Sequence, residues 1–350
     1  MNECVQEPAI IADTQVKQLV AKARVAQAAF ESFSQEQVDA IVKGIGKYVY
    51  DNAEELARMA VDETGIGVYE DKILKNKGKA RVIWNNLKDK KSRGIIGEDP
   101  ETNLVFVAKP MGVVGAVTPV TNPIVTPMCN AMFAIKTGNA VIFAPHPKAE
   151  KCTERLTDAF MKVVKANGGP DNLVQMVKKG SIEMTQELMK AVDVVVATGG
   201  GAMVKSAYSS GRPSFGVGAG KDDVLAKEKL CPVVAILPYK SFTDAVAKAK
   251  ANLLVEGAGH SAAVHSNDEK NIREAGVELP ISRLVVNQPS SLTAGGSLTN
   301  GFAPTTTLGC GSWGGNSISE NLDYKHLMNV SRIGKVITGK KVPTDEEIWA

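Results

Sequence analysis

Four short apolar segments alternate with helical segments after residue 112, and this alternation constrains the fold more than any other feature of the sequence. The pattern predicts strands at residues 113–117, 140–143, 173–177 and 192–196 and helices at 126–135, 149–164 and 181–189. Strands that are separated by helices pair in parallel through right-handed crossovers. The sequence therefore predicts an α/β fold with a Rossmann-type parallel sheet.

Three loops follow strands of this sheet, at residues 118–123, 144–148 and 198–201, and should open at one edge of it. Ligands of such sheets bind beyond the carboxyl ends of the strands. Gly199, Gly200 and Gly201 directly follow the last strand, and a glycine turn before a helix can bring backbone N–H groups to a phosphate. A plain strand-to-helix turn needs glycine too, so the glycines alone leave both interpretations open.

The N-terminal region is interpreted as a helical scaffold. Amphipathic patterns predict helices across residues 14–91. Ser34 and Gln37 form a capping-box pattern, and Asn52 can cap a further helix. The pattern indicates no catalytic or ligand-binding residue in this region.

A β-hairpin is predicted next, because residues 94–97 and 104–107 are strand-like and flank a turn at 98–100. A two-stranded hairpin is marginally stable alone. It therefore either extends the sheet of another subunit or packs on its own domain.

Strand and helix patterns resume after residue 220. They predict strands at 233–237, 262–265 and 284–287, a helix at 242–251, and a last strand at 331–336 before an exposed tail. Residues 289–316 are rich in Gly, Ser, Thr and Asn and predict a long loop. Long ordered loops are often functional.

Composition excludes several classes of protein. The 350 residues suffice for two domains, and the 41 basic and 38 acidic residues give a net charge of +3 without a basic block that would indicate nucleic-acid binding. No apolar run is long enough to span a membrane, and the N-terminus lacks signal-peptide features, so we expect a cytoplasmic protein without a membrane partner. The five cysteines lack metal-ligand spacing and predict neither a metal site nor disulfides.

Six segments, in order, resemble the CoA-acylating aldehyde dehydrogenases, with most likeness to the CoA-dependent succinate-semialdehyde dehydrogenases. They are GVVGAVTPVTNPIVTPMCNAM (112–132), APHPKA (144–149), GRPSFGVGAG (211–220), KEKLCPV (227–233), EGAGHSA (256–262) and TTTLGCGSWGGNSISENL (305–322). The resemblance implies an aldehyde-dehydrogenase-like fold with a cofactor-binding domain at 1–220, a remnant of a catalytic domain at 221–330 and a C-terminal arm at 331–350. A hairpin arm at 94–109 would pair subunits into a homodimer or a higher homo-oligomer.

The family's reaction converts an acyl-CoA and NAD(P)H reversibly into an aldehyde, CoA and NAD(P)+. The resemblance thus implies NADP or NAD as cofactor, CoA as a substrate or product, and a small acyl group, here succinyl. An acetyl or propionyl group is an alternative. A non-catalytic nucleotide-binding or dimerisation module is another.

The family's nucleophile is expected but missing. Family members carry a cysteine in a Cys-Ser/Ala-Ser-Glu-Gln type of segment, whereas here Gly220 runs directly into Lys221 and a later family motif. Roughly a hundred residues are absent, about the size of a small domain. No cysteine lies in such a motif: Cys129 is expected in an apolar helix and Cys152 on a surface helix. The resemblance therefore predicts that this chain lacks acyl-transfer activity.

The resemblance assigns the cofactor contacts. His146 and Lys148 would lie at the adenosine ribose, where Lys148 could pair with a 2′-phosphate and favour NADP, although a solvated basic helix start explains it nearly as well. The other contacts would be Thr198, Gly199, Gly200 and Gly201 at the pyrophosphate, Gly216 and Gly218 at the nicotinamide, and Glu228 on the ribose next to it. The alternative interpretation is that these glycines are ordinary loop residues and that Glu228 is a surface glutamate.

The resemblance also suggests catalytic and substrate residues. Asn122 would be the oxyanion-hole donor; its alternative is a turn-forming residue before proline. His260 could lie near the CoA entry or the acyl site, although a lone His is more often structural. Arg283 could pair with a substrate carboxylate, with a surface salt bridge equally plausible. Cys310 is the best substitute thiol, but a reactive thiol needs exposure and a lowered pKa.

Overall fold

The computed structural model describes residues 6–217, 236–255 and 257–350. Gly218 and Glu228 lie outside the described residues, as do Cys4, Cys231 and most of the predicted strand at 233–237. The predictions for Gly218, Glu228 and this strand stay predictions.

The N-terminal region is helical, as predicted, and comprises α1 (Gln6–Phe30), α2 (Gln35–Asp51), α3 (Ala53–Thr64) and α4 (Tyr69–Leu87). The capping box is confirmed, because Ser34 Oγ accepts from the Gln37 N–H (3.3 Å) and the Ser34 N–H donates to Gln37 Oε1 (2.9 Å). Asn52 is the N-cap residue of α3, as predicted, but its side chain does not cap the helix. Its amide instead donates to the Tyr48 carbonyl (2.8 Å) at the end of α2, so α3 begins without a side-chain cap.

We expect Ser34→Ala to lower the free energy of unfolding by about 1 kcal/mol, the usual cost of losing an N-cap side chain. The midpoint of urea denaturation measures this effect. Ser32→Ala is the matched control, since the Ser32 hydroxyl donates only to the exposed Ala29 carbonyl in the last turn of α1 and accepts no N–H at a helix start. Equal midpoints for the two variants would contradict the assignment.

The hairpin is confirmed as β1 (Ile95–Asp99) and β2 (Leu104–Pro110), paired antiparallel. Asp99 stabilises the turn, because its carboxylate accepts from the Glu101 N–H (3.0 Å). The hairpin is not isolated, since a C-terminal strand joins it, as described below.

The parallel sheet is confirmed. Its strands are β3 (Val113–Thr118), β4 (Ala140–Pro145), β5 (Val174–Met176), β6 (Val194–Thr198) and β7 (Ser214–Val217), in the order β5-β4-β3-β6-β7. They alternate with α5 (Val125–Lys136), α6 (Glu150–Ala166), α7 (Ile182–Ala191) and α8 (Gly201–Tyr208). Strands β3 and β4 are buried on both faces, which explains their continuous apolar sequence. The order places β3 and β6 side by side at the switch point, where ligands of such sheets bind.

The rest of the chain contains α9 (Phe242–Val255), β8 (Gly259–Val264), α10 (Glu269–Glu278), β9 (Ile281–Val286), α11 (Ser290–Thr293), β10 (Met328–Gly334) and α12 (Asp345–Trp349). Strands β8 and β9 pair in parallel through α10, a helix that the sequence pattern missed. β10 pairs antiparallel with β2, giving a sheet of order β1-β2-β10. The hairpin is therefore built into a sheet of its own chain, and the pairing of subunits stays a prediction. No helix within the described residues is both long and apolar enough to cross a bilayer.

Candidate cofactor and active site

A cavity of about 570 Å³ lies at the carboxyl ends of β3, β4 and β6. Its lining comes from residues 117–119, 144–147, 180–182, 185 and 198–203. This confirms that the three strand-end loops open at one edge of the sheet. The Thr118 hydroxyl, at the end of β3, has no hydrogen-bond partner in the described part of the chain.

The start of α8 forms one wall of this cavity. Gly200 is the N-cap residue, with ordinary dihedral angles (φ −63°, ψ 160°), and a Cβ added there would meet no atom within 4 Å. Neither the backbone nor the packing therefore requires glycine at position 200. What the glycine does is leave the first N–H groups of α8 open to the cavity, which suits an anion.

The start of α6, by contrast, is already occupied by an anion. Both carboxylate oxygens of Glu63 accept backbone N–H groups there, from Lys151 (2.7 Å) and Cys152 (2.8 Å). Sequence reasoning missed Glu63, because its partners lie almost ninety positions further along the chain. Of these two helix starts, that of α8 is free to bind a phosphate.

Thr198 connects the end of β6 to the long loop. Its hydroxyl is hydrogen bonded to that of Thr307 (3.1 Å). Further along the chain, Ser317 Oγ donates to the Ser214 carbonyl (2.7 Å), and the Ser317 N–H donates to the Tyr208 hydroxyl (3.0 Å). The loop predicted at 289–316 thus reaches the edge of the sheet where the cavity lies through Thr307, whereas Ser317, just beyond it, contacts α8 and the first residue of β7.

His146 lines the cavity, whereas the Lys148 side chain is exposed and does not. Nδ1 of His146 accepts from the Lys148 N–H (3.1 Å), which fixes the turn before α6. None of the described residues that line the cavity is acidic, so no carboxylate there would repel a 2′-phosphate. The prediction that Lys148 pairs with this phosphate stays open.

Gly216 has a packing role. It lies in β7, and an added Cβ would come within 2.6 Å of Val204 Cγ1 in α8. Its N–H donates to the Tyr208 hydroxyl (3.0 Å), which fixes α8 against the strand. Glycine is therefore required here by close helix–strand contact, and the approach to the nicotinamide stays a prediction.

Asn122 lies between β3 and α5 and is half-buried. Its backbone carbonyl accepts the Thr126 N–H (3.3 Å), while its buried Oδ1 has no partner among the described residues. The preceding carbonyl, of Thr121, accepts a hydrogen bond from Lys72 Nζ (2.9 Å). Lys72 is buried, and desolvation lowers its pKa. It thereby fixes the segment that carries Asn122.

Sequence reasoning missed Lys72, although a signal was present. Lys72 belongs to the set of α4 residues that face the interior, which are Lys72, Asn76, Ala80, Ile83 and Leu87. A lysine at helical spacing with apolar positions indicates a buried cation that needs an acceptor.

The described cysteines are all buried. Cys129 and Cys152 are fully buried and Cys310 is 3% exposed, and desolvation raises the pKa of each thiol. Cys152 is expected on a surface helix; α6 has an exposed face, and Cys152 lies on its inner, buried face. Cys310 has neither the exposure nor the lowered pKa of a reactive thiol. The described residues thus offer no candidate nucleophilic thiol.

Arg283 is buried, at 2% exposed, and donates only to groups of its own chain. The acceptors are Ser261 Oγ (3.0 Å), the carbonyls of Gly309 (2.7 Å), His260 (3.0 Å) and Gly259 (3.4 Å), and Asn321 Oδ1 (3.3 Å). A surface salt bridge is therefore wrong. A role towards a substrate carboxylate has no support in this geometry, because five hydrogen bonds occupy the guanidinium.

His260 is the second residue of β8. Its ring is exposed to solvent, yet desolvation lowers its pKa and the nearby Arg283 lowers it further. The ring is therefore partly surrounded by protein but remains in contact with solvent. Its expected position near the CoA entry or acyl site stays a prediction.

Residues 2–216 match the aldehyde dehydrogenase family. The chain belongs to this family. It is 44% identical to the succinate-semialdehyde dehydrogenase (acetylating) of Clostridium kluyveri over 450 positions, which cover 96% of this chain and 99% of that protein. Its fold matches the crystal structure of an acetylating aldehyde dehydrogenase from Geobacillus thermoglucosidasius with a TM-score of 0.90 at 27% identity, covering 97% of this chain and all of the other.

A second solved structure gives the same result. A probable aldehyde dehydrogenase from Listeria monocytogenes EGD-e superimposes with a TM-score of 0.89 at 29% identity, covering 98% of this chain and all of the other. The predicted aldehyde-dehydrogenase-like α/β fold is thereby confirmed. The individual site residues are assigned from the geometry above and stay proposals.

Proposed function

We propose that the chain derives from a CoA-acylating aldehyde dehydrogenase that reversibly reduces succinyl-CoA to succinate semialdehyde with NAD(P)H. The observation that carries this proposal is the 44% identity to the acetylating enzyme of Clostridium kluyveri, which extends over 96% of the chain. The acetylating aldehyde dehydrogenase of Geobacillus thermoglucosidasius supports the same chemical class, and the Listeria monocytogenes structure supports the aldehyde dehydrogenase family.

The cavity fits a dinucleotide. It is large enough for part of one, and its walls are strand ends. Two helix starts border it: that of α7 is capped by the Ser181 side chain, whereas that of α8 carries N–H groups without a side-chain cap. Gly199 to Gly201 would hold the pyrophosphate, Thr198 would keep the cavity edge joined to the long loop, and His146 would border the adenosine ribose. The bound cofactor supplies the hydride that reduces a thioester.

Asn122 would stabilise the oxygen that becomes negatively charged when a thioester is reduced. The Lys72–Thr121 hydrogen bond and the first turn of α5 hold its backbone in place before any ligand binds. A donor that is positioned in advance does not reorganise during the reaction, and such a donor contributes about 3 kcal/mol in the transition state.

We further infer that the segment with the nucleophilic cysteine is absent at the junction of Gly220 and Lys221. The match to the Clostridium kluyveri enzyme extends over 450 positions, whereas the whole chain has only 350 residues, so at least 100 of these positions (450 − 350) have no residue of this chain opposite them. The difference supports a long internal gap, and the burial of Cys129, Cys152 and Cys310 supports the absence of a replacement thiol. What remains is a nucleotide-binding unit, which we propose to be a homo-oligomer through the β1-β2-β10 sheet.

The binding of dinucleotide tests this proposal without requiring turnover. We expect NADPH to bind, and Gly200→Val to raise its Kd at least about tenfold, because the new side chain fills the space in front of α8. Titration of NADPH fluorescence measures the effect, and the melting temperature should change little, since the dihedral angles of Gly200 suit valine.

Gly301→Val is the matched control. An added Cβ at Gly301 likewise meets no atom within 4 Å, and Gly301 does not line the cavity. Its Kd should equal that of the unmodified chain. If NADPH failed to bind, or bound equally well to Gly200→Val, the proposed cofactor site would be wrong.

A further inference from the structure

A second cavity, of about 680 Å³, lies between α4 and residues 291–297. Its apolar wall includes Leu74 and Leu292, which are 70% and 71% exposed. The polar part of the lining includes two lysines, Lys75 and Lys79, and two serines, Ser291 and Ser297. Apolar walls with a few polar groups are typical of sites for small organic ligands.

Two elements connect this cavity with the proposed active site. At one end of α4, Lys72 Nζ donates to the Thr121 carbonyl next to Asn122 (2.9 Å). Further along α4, Lys79 Nζ donates to the carbonyls of Gly295 (2.9 Å) and Thr305 (3.0 Å). The segment 305–307 also reaches Thr198, so α4 and this segment connect the cavity with the segment that carries Asn122 and with the cofactor cavity.

Lys75 differs from the two lysines that flank it. Lys72, Lys75 and Lys79 follow one side of α4 at spacings of three and four residues, so they neighbour one another. Lys72 and Lys79 are held by carbonyl acceptors, whereas Lys75 has no hydrogen bond or ion pair with any residue in the described part of the chain. Asp71 also lines the cavity but makes no ion pair with Lys75 there.

The environment of Lys75 favours an anionic ligand. Its side chain is exposed to solvent, yet the surrounding protein desolvates the ammonium and lowers its pKa. A carboxylate in the cavity would replace part of the lost hydration and pair with the charge. Its attached methylene groups would cover Leu74 and Leu292, whose exposure is unfavourable in water.

We propose that this cavity receives the acyl group of an acyl-CoA that ends in a carboxylate, and that Lys75 pairs with this carboxylate. The inference rests on the proposed function and makes Lys75 a specificity-determining residue. It also explains why Arg283 is not needed for this purpose, since all of its hydrogen bonds described above stay within the protein. Lys79 contributes charge but remains held by its two carbonyl acceptors.

Two truncated thioesters that differ only at the end of the acyl chain provide the test. S-succinyl-N-acetylcysteamine carries a terminal carboxylate, and S-butyryl-N-acetylcysteamine carries a methyl group. We expect the unmodified chain, saturated with NADPH, to bind the succinyl compound at least about tenfold more tightly in ligand-observed NMR titrations. Lys75→Met should abolish this preference, and Lys75→Arg, which keeps the charge, should retain most of it.

Lys77→Met is the matched control on the same helix. Lys77 lies 3.4 Å from Glu54 and does not line the cavity, so its loss should leave the preference unchanged. Equal affinity of the unmodified chain for both thioesters, or a preference that survives in Lys75→Met, would overturn the role of Lys75. If NADPH still bound in those cases, the proposed function would stand; absence of binding of NADPH and of both thioesters would overturn both proposals.

Discussion

The 350-residue chain should fail to oxidise NADPH in the presence of succinyl-CoA, with turnover at least about a thousandfold below that of the intact Clostridium kluyveri relative. Loss of a catalytic nucleophile costs this much or more where it has been measured, because the residual rate comes only from binding and oxyanion stabilisation. We do not expect the three described cysteines to replace the nucleophile, because all three are buried and desolvation raises the pKa of each thiol.

The control supplies the segment that we infer to be absent. Insertion of the corresponding segment of the Clostridium kluyveri relative between Gly220 and Lys221 should bring back NADPH oxidation, while the same segment with its cysteine changed to serine should not. Turnover of the unmodified chain at the rate of the relative would show that the inferred deletion does not remove the nucleophile. In that case Cys4→Ser and Cys231→Ser, which lie outside the described residues, would identify the replacement.

The parallel sheet was predictable because its strands are buried on both faces. Such strands are continuous apolar runs, and the helices between them have their own period. β7 (Ser214–Val217) escaped notice because glycine and proline surround it, and these residues indicate loops. α10 was not predicted because only Ala275 of its ten residues is buried, so its sequence shows almost no amphipathic pattern.

The parts of the site that could be predicted are those formed by the backbone. Strand-end loops and a glycine-led helix start follow from chain order, which is why the cavity lies where the sequence predicted it. The partners of long side chains could not be predicted in this way. Lys72 reaches a carbonyl 49 positions away and Arg283 one 26 positions away, and no local pattern specifies such pairs. The same limit explains why the substrate role considered for Arg283 finds no support and why Lys75 emerges only from the packing.

Arg283→Leu should lower the free energy of unfolding by about 3 kcal/mol. Arg283 joins β8, β9 and the loop 308–321, and its removal leaves the carbonyls of Gly309 and His260 and the amide oxygen of Asn321 buried without their donor. Leaving buried polar groups unpaired costs about 1–3 kcal/mol each, reduced where neighbours relax. Urea denaturation measures the loss, and hydrogen exchange should accelerate in residues 259–264 and 308–321.

Arg273→Leu is the matched control, because Arg273 is exposed and pairs only with Glu269 on the surface of α10 (3.0 Å). Exposed pairs of this kind contribute little, so its stability should change by less than about 0.5 kcal/mol. The two variants also separate a structural role from a substrate role. If Arg283 bound the substrate, its substitution would leave the free energy of unfolding and hydrogen exchange unchanged and would lower only the affinity for the succinyl thioester. Because its hydrogen bonds stay within the protein, we expect instead that the free energy of unfolding falls and that the affinities for both thioesters change alike.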